Sequence, residues 1–352
     1  MKVGLIIPNN IWFCPFAGIY TRILERLGVE YDLISWNRDG SDASQGLQYN
    51  VQITGKVRPA SFREYWGYSQ FVKKCIKREG YKRLIMIGPH IPCFLSLFLL
   101  KWEGRFIIDY RDLSIDQKPG FHQLFALMLK HSYANVISSP GFKNYLPKGH
   151  YFLSHNFNTD DVRSALLNNE EQNFHNLKVI DVLTIGGIRD YESNIQVVKS
   201  LSNLNGVKCR FVGKGIAAGQ IEEFCKEEKI ENAYFTGMYQ KKDEASFYEN
   251  ATFVNIFYPR SNLHDAAVSN RFYNSLIYKR PMITTKNTTQ GNLCEKHDVG
   301  IALENCEGLY EKLNEFLNKD YKEYAKRCNH LLSSFLVDQE KFEGMIENFI
   351  HY

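Results

Sequence analysis

The sequence has no apolar run long enough to cross a bilayer. Its longest strongly apolar stretch, residues 91–100, has ten residues, about half of the roughly twenty a spanning helix needs, so it reads as a buried helix of an α/β unit. A signal peptide is missing too: the apolar residues 3–7 are cut short by Pro8-Asn9-Asn10, and the expectation is a chain that stays in the cytoplasm. The eight cysteines, at 14, 75, 93, 209, 225, 294, 306 and 328, include no CxxC pair, and the ten histidines no HExxH. That argues against a zinc site or a disulfide framework and for reduced thiols, with no metal expected. The phosphate-binding P-loop and the complete GxGxxG fingerprint are also lacking, as are low-complexity tracts and short-period repeats.

What is present suits a soluble globular protein: 44% apolar and 23% charged residues over 352 positions, enough for two domains each with its own core. The net charge of +4 is unevenly placed. Residues 1–157 hold 20 Lys and Arg against 11 Asp and Glu, whereas residues 158–352 hold 23 against 28. Much of the basic excess lies in GKVRPASFREYWGYSQFVKKCIKREGYKR (55–83), where nine cations face only Glu64 and Glu79 with Phe62, Tyr65, Trp66, Tyr68 and Phe71 interleaved. Cations with aromatics suit an anionic membrane surface or nucleic acid. The expected partner is the membrane surface, not nucleic acid, and the plain alternative is a solvated helix face.

Strand and helix signals alternate throughout. In the first half, strands are expected at 3–7, 31–35, 83–87, 105–109 and 135–138, with helices near 18–27, 68–79, 92–102 and 122–132. Residues 156–176 are rich in Asn, Asp and Glu and poor in large apolar side chains, the texture of a surface connection. The alternation then resumes, with strands at 179–185, 208–212, 233–236, 253–257 and 282–285 and helices at 194–201, 220–228 and 243–249. Two amphipathic closing helices are expected at 309–336 and 339–350. The fold class is therefore α/β, with two doubly wound parallel-sheet domains facing each other across a cleft. The boundaries are 1–157 for the first domain, 158–176 for the connection, 177–330 for the second domain, and 331–352 for a terminal helix packing back towards the first.

In such sheets ligands sit off the carboxyl ends of the strands. Glycine-bearing turns fall there at Gly88, Gly186-Gly187, Gly213-Lys214-Gly215, Gly237 and Gly291. Together they favour a phosphate-bearing ligand, although a strand-to-helix turn uses glycine for geometry alone. The stretch SNRFYNSLIYKRPMITT (269–285) reads as a helix capped by Ser269, apolar at Phe272, Tyr273, Leu276 and Ile277, and running into a buried strand. Asn270 and Asn274 project from a neighbouring face.

These motifs, in this order, resemble the GT-B glycosyltransferases, specifically the retaining group known as glycosyltransferase family four. DVLTIGGIRDYESN (181–194), CRFVGKG (209–215), YFTGMYQKKDEASFYENA (234–251), YPRSNLHDAAVS (258–269) and SNRFYNSLIYKRPMI are similar to that family's second domain. RFIIDYRDLS (105–114) and HNFN (155–158) are similar to first-domain and interdomain segments of a subgroup that builds bacterial surface polysaccharides.

The resemblance implies two Rossmann-like domains and transfer from a nucleotide diphosphate sugar, with retention, onto a growing polyprenyl-linked capsule, O-antigen or exopolysaccharide oligosaccharide. The enzyme would act peripherally at the inner face of a bacterial membrane, with neither metal nor cofactor. The resemblance puts Asn274 where the family has a ribose-binding glutamate and Ala266 where it has a second, leaving the adjacent Asp265 for the sugar. Arg271 stands at the motif lysine, Arg189 beside the leaving diphosphate with Gly187, and Lys214 substitutes for a second lysine whose position falls near Asn194. Asn270 joins the donor site. Arg111 and Asp112 occupy the place of a His-Asp pair near the sugar, or form a structural ion network with Asp109. Gly18, His90 and Gly237 complete the cleft candidates. The rival readings are a nucleotide-sugar epimerase of the same architecture and a non-catalytic partner subunit.

Overall fold

The computed structural model describes residues 1–41, 46–53, 60–167 and 179–351. They divide into two compact units, Met1–His155 with Asp338–Tyr352, and Asn156–Val337. Residues 55–59 of the basic segment and 168–176 of the expected connection lie outside the described residues.

The first unit is built on seven parallel strands: β1 (Lys2–Ile6), β2 (Glu30–Trp36), β3 (Leu47–Tyr49), β4 (Arg83–Ile87), β5 (Phe106–Tyr110), β6 (Ala134–Ile137) and β7 (Phe152–Leu153), in the spatial order β3-β2-β1-β4-β5-β6-β7. The central strands β1, β4 and β5 are almost wholly buried and mostly apolar, because helices cover both faces, with Asp109 of β5 the buried exception. The strand order reverses between β1 and β4. Residues from the end of the chain complete this core: Phe342, Met345, Ile346 and Phe349 pack with Ile19, Tyr20 and Ile23, and the rings of Tyr20 and Phe342 meet edge-on at 5.4 Å.

Six parallel strands form the second unit: β8 (Ile180–Ile185), β9 (Val207–Val212), β10 (Ala233–Gly237), β11 (Phe253–Ile256), β12 (Met282–Thr285) and β13 (Gly300–Leu303), ordered β10-β9-β8-β11-β12-β13. Here the order reverses between β8 and β11. The α/β class and the doubly wound sheets agree with the sequence reading.

Four local readings are corrected. A helix, Thr159–Leu167, stands where a loose connection was expected. Two carboxylates in its first turn suit its N-terminus, and Val162 and Ala165 supply its buried side. The basic helix starts six residues early, at Phe62, because Ser61 and Glu64 form a reciprocal capping box. The helix expected at 92–102 is broken into His90–Phe94 and Ser96–Leu99, with a tight turn over Leu100–Trp102. The two closing helices after residue 320 are one, Tyr321–His351, since no proline interrupts it.

Two glycines in the second unit have a steric reason that needs no ligand. A Cβ at Gly213 would lie 2.1 Å from the Gly186 carbonyl oxygen, and one at Gly215 1.9 Å from that of Ile188. The turns after β8 and β9 therefore pack backbone against backbone.

Candidate functional site

In a doubly wound sheet the reversal of strand order leaves a crevice at the carboxyl edge, where successive crossovers diverge. In the second unit that crevice lies off β8 and β11, and one side chain fastens its floor. Arg271, in the first turn of the helix Asn270–Ile277, is buried, and its guanidinium donates to the carbonyls of Ile185 at 2.5 Å, Gly187 at 2.9 Å and Asn255 at 3.4 Å. Beneath it Asn255 donates to the Thr184 hydroxyl and to the Asn194 side-chain oxygen, both at 3.0 Å, and accepts from the Phe257 amide. A buried polar network thus welds the ends of β8 and β11 to the helix Tyr191–Ser200. Asn194, near which the resemblance puts the absent second lysine, points into this network. Arg271, expected to meet a diphosphate, spends its donors on backbone.

The exposed cations here are Arg189 and Lys214, from the adjoining turns after β8 and β9. Neither makes an ion pair among the described residues. A Cβ at Gly187 would meet the Arg189 Nε at 3.3 Å, so the guanidinium lies against a bare backbone. Ser269 takes the N-cap position, but its hydroxyl donates to Gln290 Oε1 at 3.2 Å and does not cap the helix. The first-turn amides are thereby left without a side-chain acceptor. The exposed Asn270 accepts from Asn156 at 2.6 Å. Asp265 is held bidentately by Arg260 at 2.7 and 2.9 Å, which reduces its availability to a sugar hydroxyl. Gly237 has φ +73° with open space where a side chain would stand.

Asn274 does not stand open. Its amide donates to Glu244 Oε1 at 2.8 Å and to the Tyr248 hydroxyl at 3.3 Å. Glu244, from the next crossover, also pairs with Lys241. Burial, with the Glu244 carboxylate adding to it, pushes the Tyr239 hydroxyl up. The sequence reading missed Glu244: it lies thirty residues before Asn274, and no local pattern links the two.

In the first unit the corresponding edge carries a second polar cluster. Arg111 is buried, donates to Asp109 at 2.9 Å and to Ser154 at 2.9 Å, and stacks over Phe16 at 4.5 Å. Tyr20 donates to the same Asp109 oxygen at 2.7 Å. Arg111 and Asp109 form the ion pair of the structural alternative, but Arg111 Nη1 and Asp109 Oδ1 are buried without a hydrogen-bond partner among the described residues, and Asp112, the third residue of that alternative, is exposed. Gly18 lies in the first turn of the helix Ala17–Arg26 and has only the Arg22 guanidinium near it. His90 stacks on Tyr65 at 3.8 Å and its Nε2 lies 3.0 Å from the Ser114 hydroxyl, while Nδ1 is buried without a partner. Burial, with Arg38 and Lys118 adding to it, pulls His90 down to about 3. No group of three metal-ligating side chains occurs among the described residues, and none of their helices is long and apolar enough to cross a membrane.

Solved structures share this architecture end to end. The sucrose-phosphate synthase of Thermosynechococcus elongatus superposes with a TM-score of 0.68 at 12% identity, covering 100% of this chain and 99% of that one. A glycosyltransferase from Rickettsia africae gives 0.67 at 13%, over 99% and 98%. The fold is GT-B. The same fold extends to the UDP-GlcNAc 2-epimerase of Methanocaldococcus jannaschii, solved with UDP-GlcNAc and UDP, at 0.56 and 14% identity over 96% and 100%. No protein-family model and no curated protein matches the sequence.

Two outcomes follow from this geometry. Arg271→Met strands three carbonyls in the GT-B second unit and is expected to cost about 2–4 kcal/mol, while Arg189→Ala, on the surface, stays within about 0.5 kcal/mol. Urea denaturation of the two variants measures the difference. His90 has a folded pKa below its unfolded one, so its contribution is full above about pH 6.5 and falls as the pH drops towards 3, where unfolding takes up a proton. Its ring C–H resonances should not titrate between pH 7 and 4, and His90→Phe should flatten that part of the stability profile.

Proposed function

We propose that this chain is a glycosyltransferase that moves a sugar from a nucleotide diphosphate sugar to a growing polyprenyl-linked oligosaccharide of a capsule, O-antigen or exopolysaccharide. It acts at the inner face of a bacterial membrane, with retention and without a metal, in the manner of the family-four enzymes its motifs resemble. The observation that carries the reading is the set of groups at the second unit's crevice. Two exposed cations that make no ion pair among the described residues, a bare glycine backbone and a helix N-terminus without a side-chain cap belong to adjoining elements there.

That set suits a leaving diphosphate. As the glycosidic bond breaks, negative charge grows on the diphosphate oxygens, and Arg189, Lys214 and the amides at Gly187 and Asn270 are donors already in place to meet it. Arg271 is a positioning residue that holds the two strand ends from which those donors project. Glu244, oriented by a bond from Asn274 and paired at its other oxygen, among the described residues, only with the exposed Lys241, supplies the carboxylate for a ribose diol from the neighbouring crossover. The acceptor hydroxyl attacks from the face that the diphosphate leaves, and its proton passes to the departing phosphate oxygen, so no enzyme nucleophile is required.

The epimerase reading draws on the shared fold with the archaeal epimerase. Incubation with donor alone separates the two, since an epimerase changes the sugar without an acceptor. Calorimetric titration with UDP, GDP and dTDP, beside a single-turnover transfer assay, tests the main reading. Glu244→Gln should weaken nucleotide binding by about 1.5–3 kcal/mol, the scale of a charge-assisted bond. Arg189→Ala should lower turnover at saturating donor by about 10²–10³-fold with a smaller loss of binding. Unchanged affinity and rate in both variants, or no nucleotide binding by the native chain, would refute the assignment.

A further inference from the structure

Three helical segments of the first unit, Phe62–Arg78, His90–Leu99 and Phe121–His131, lie side by side. Their outer side is apolar where a monomer's surface should be polar. Phe62 is 61% exposed, Trp66 49% and Leu97 81%. The rings of Phe62, Phe94 and Phe121 lie 4.9 to 6.2 Å apart and Trp66 joins them at 6.3 Å from Phe94, so the patch is continuous across segments distant in sequence. An apolar patch this concentrated marks an interaction surface.

The charges around it choose the partner. Phe62 and Trp66 are four residues apart on one helix face, and continuing along that face leads to Lys73 and Lys77. Lys73 already reaches the patch, with its ammonium 5.5 Å from the Phe98 ring. The whole helix carries five cations and one carboxylate, Glu64, which is tied into the capping box. A second copy docked face to face would set these cations against each other. A bilayer rich in anionic lipid offers both what the rings need and what the cations need.

We infer that this face, centred on Phe62, Trp66, Phe94 and Leu97 and edged by Lys73 and Lys77, seats the first unit on an anionic lipid surface. The apolar side chains enter the boundary between headgroups and acyl chains, and the lysines meet the phosphates. The inference names the membrane contact that the proposed function calls for, and its test is independent of the transfer reaction.

The experiment is flotation with vesicles of phosphatidylcholine, alone or with about a third phosphatidylglycerol. It compares the native chain, Trp66→Ser/Leu97→Ser and Lys73→Glu/Lys77→Glu. The native chain should float with anionic vesicles at low salt at least about tenfold better than with neutral ones, and lose most of that preference at high salt. Each double variant should lose about tenfold in recovery while keeping its far-ultraviolet circular dichroism and UDP titration unchanged. Equal recovery on neutral and anionic vesicles, or native-like flotation of Trp66→Ser/Leu97→Ser, would overturn the inference. So would a concentration-dependent dimer that this variant abolishes, which would assign the face to a second copy. Flotation as expected in a chain that binds no nucleotide would leave this inference standing and remove the transferase reading.

Discussion

The second unit depends on one buried guanidinium. A parallel sheet that reverses its strand order has a seam where two neighbouring strands send their crossovers to opposite sides, and the carbonyls at that seam have lost their ladder partners. Arg271 fills the gap with three donors at once, one to the end of β8, one to the turn after it and one to β11. A planar fork does this where a lysine, with one compact charge, would satisfy fewer carbonyls. Because the seam is held from below by side chains, the turns above it are free to present glycine backbone and exposed cations. Rigid support under an open, electropositive rim is what a charged leaving group requires.

The same division of labour runs through the first unit. Arg111 lies just beyond β5 and pairs with Asp109, with Tyr20 and Ser154 joining the network, while Arg111 Nη1 and Asp109 Oδ1 stay buried without a partner among the described residues. His90 is kept neutral by its surroundings, with one ring nitrogen on Ser114 and the other buried without a partner. Thus Arg111 and Arg271 each spend donors on the fold itself, and the exposed cations Arg189 and Lys214 lie one step further out, in the turns.

Much of the fold was legible because the central strands are buried on both faces. Residues 83–87 and 282–285 are dominated by buried β-branched and apolar side chains, and the strands there match the reading residue for residue. The short edge strands β3 and β7 and the outer strand β13 were not legible, since two to four residues hold too little pattern. The helix Thr159–Leu167 was hidden by its short apolar side: Val162 and Ala165 are buried and Leu166 packs partly against the core. At the site, sequence spacing identified the right turns but not which side chains stay free. Near Asn194 the resemblance puts a phosphate lysine, yet the Asn194 oxygen is bonded by Asn255, sixty-one positions away. Asn274 looks like a ligand contact until Glu244 arrives from a different crossover. Long-range polar pairing of this kind leaves no local trace.

The central claim is that the crevice of the second unit, fastened by Arg271, holds a nucleotide diphosphate. Hydrogen–deuterium exchange with and without saturating UDP or GDP tests it most directly, because the proposed donors include backbone amides. The account predicts slowed exchange confined to the turns at 186–190 and 213–216 and to the start of the helix Asn270–Ile277. Protection located only in the first unit, or none with any nucleotide diphosphate, would contradict it.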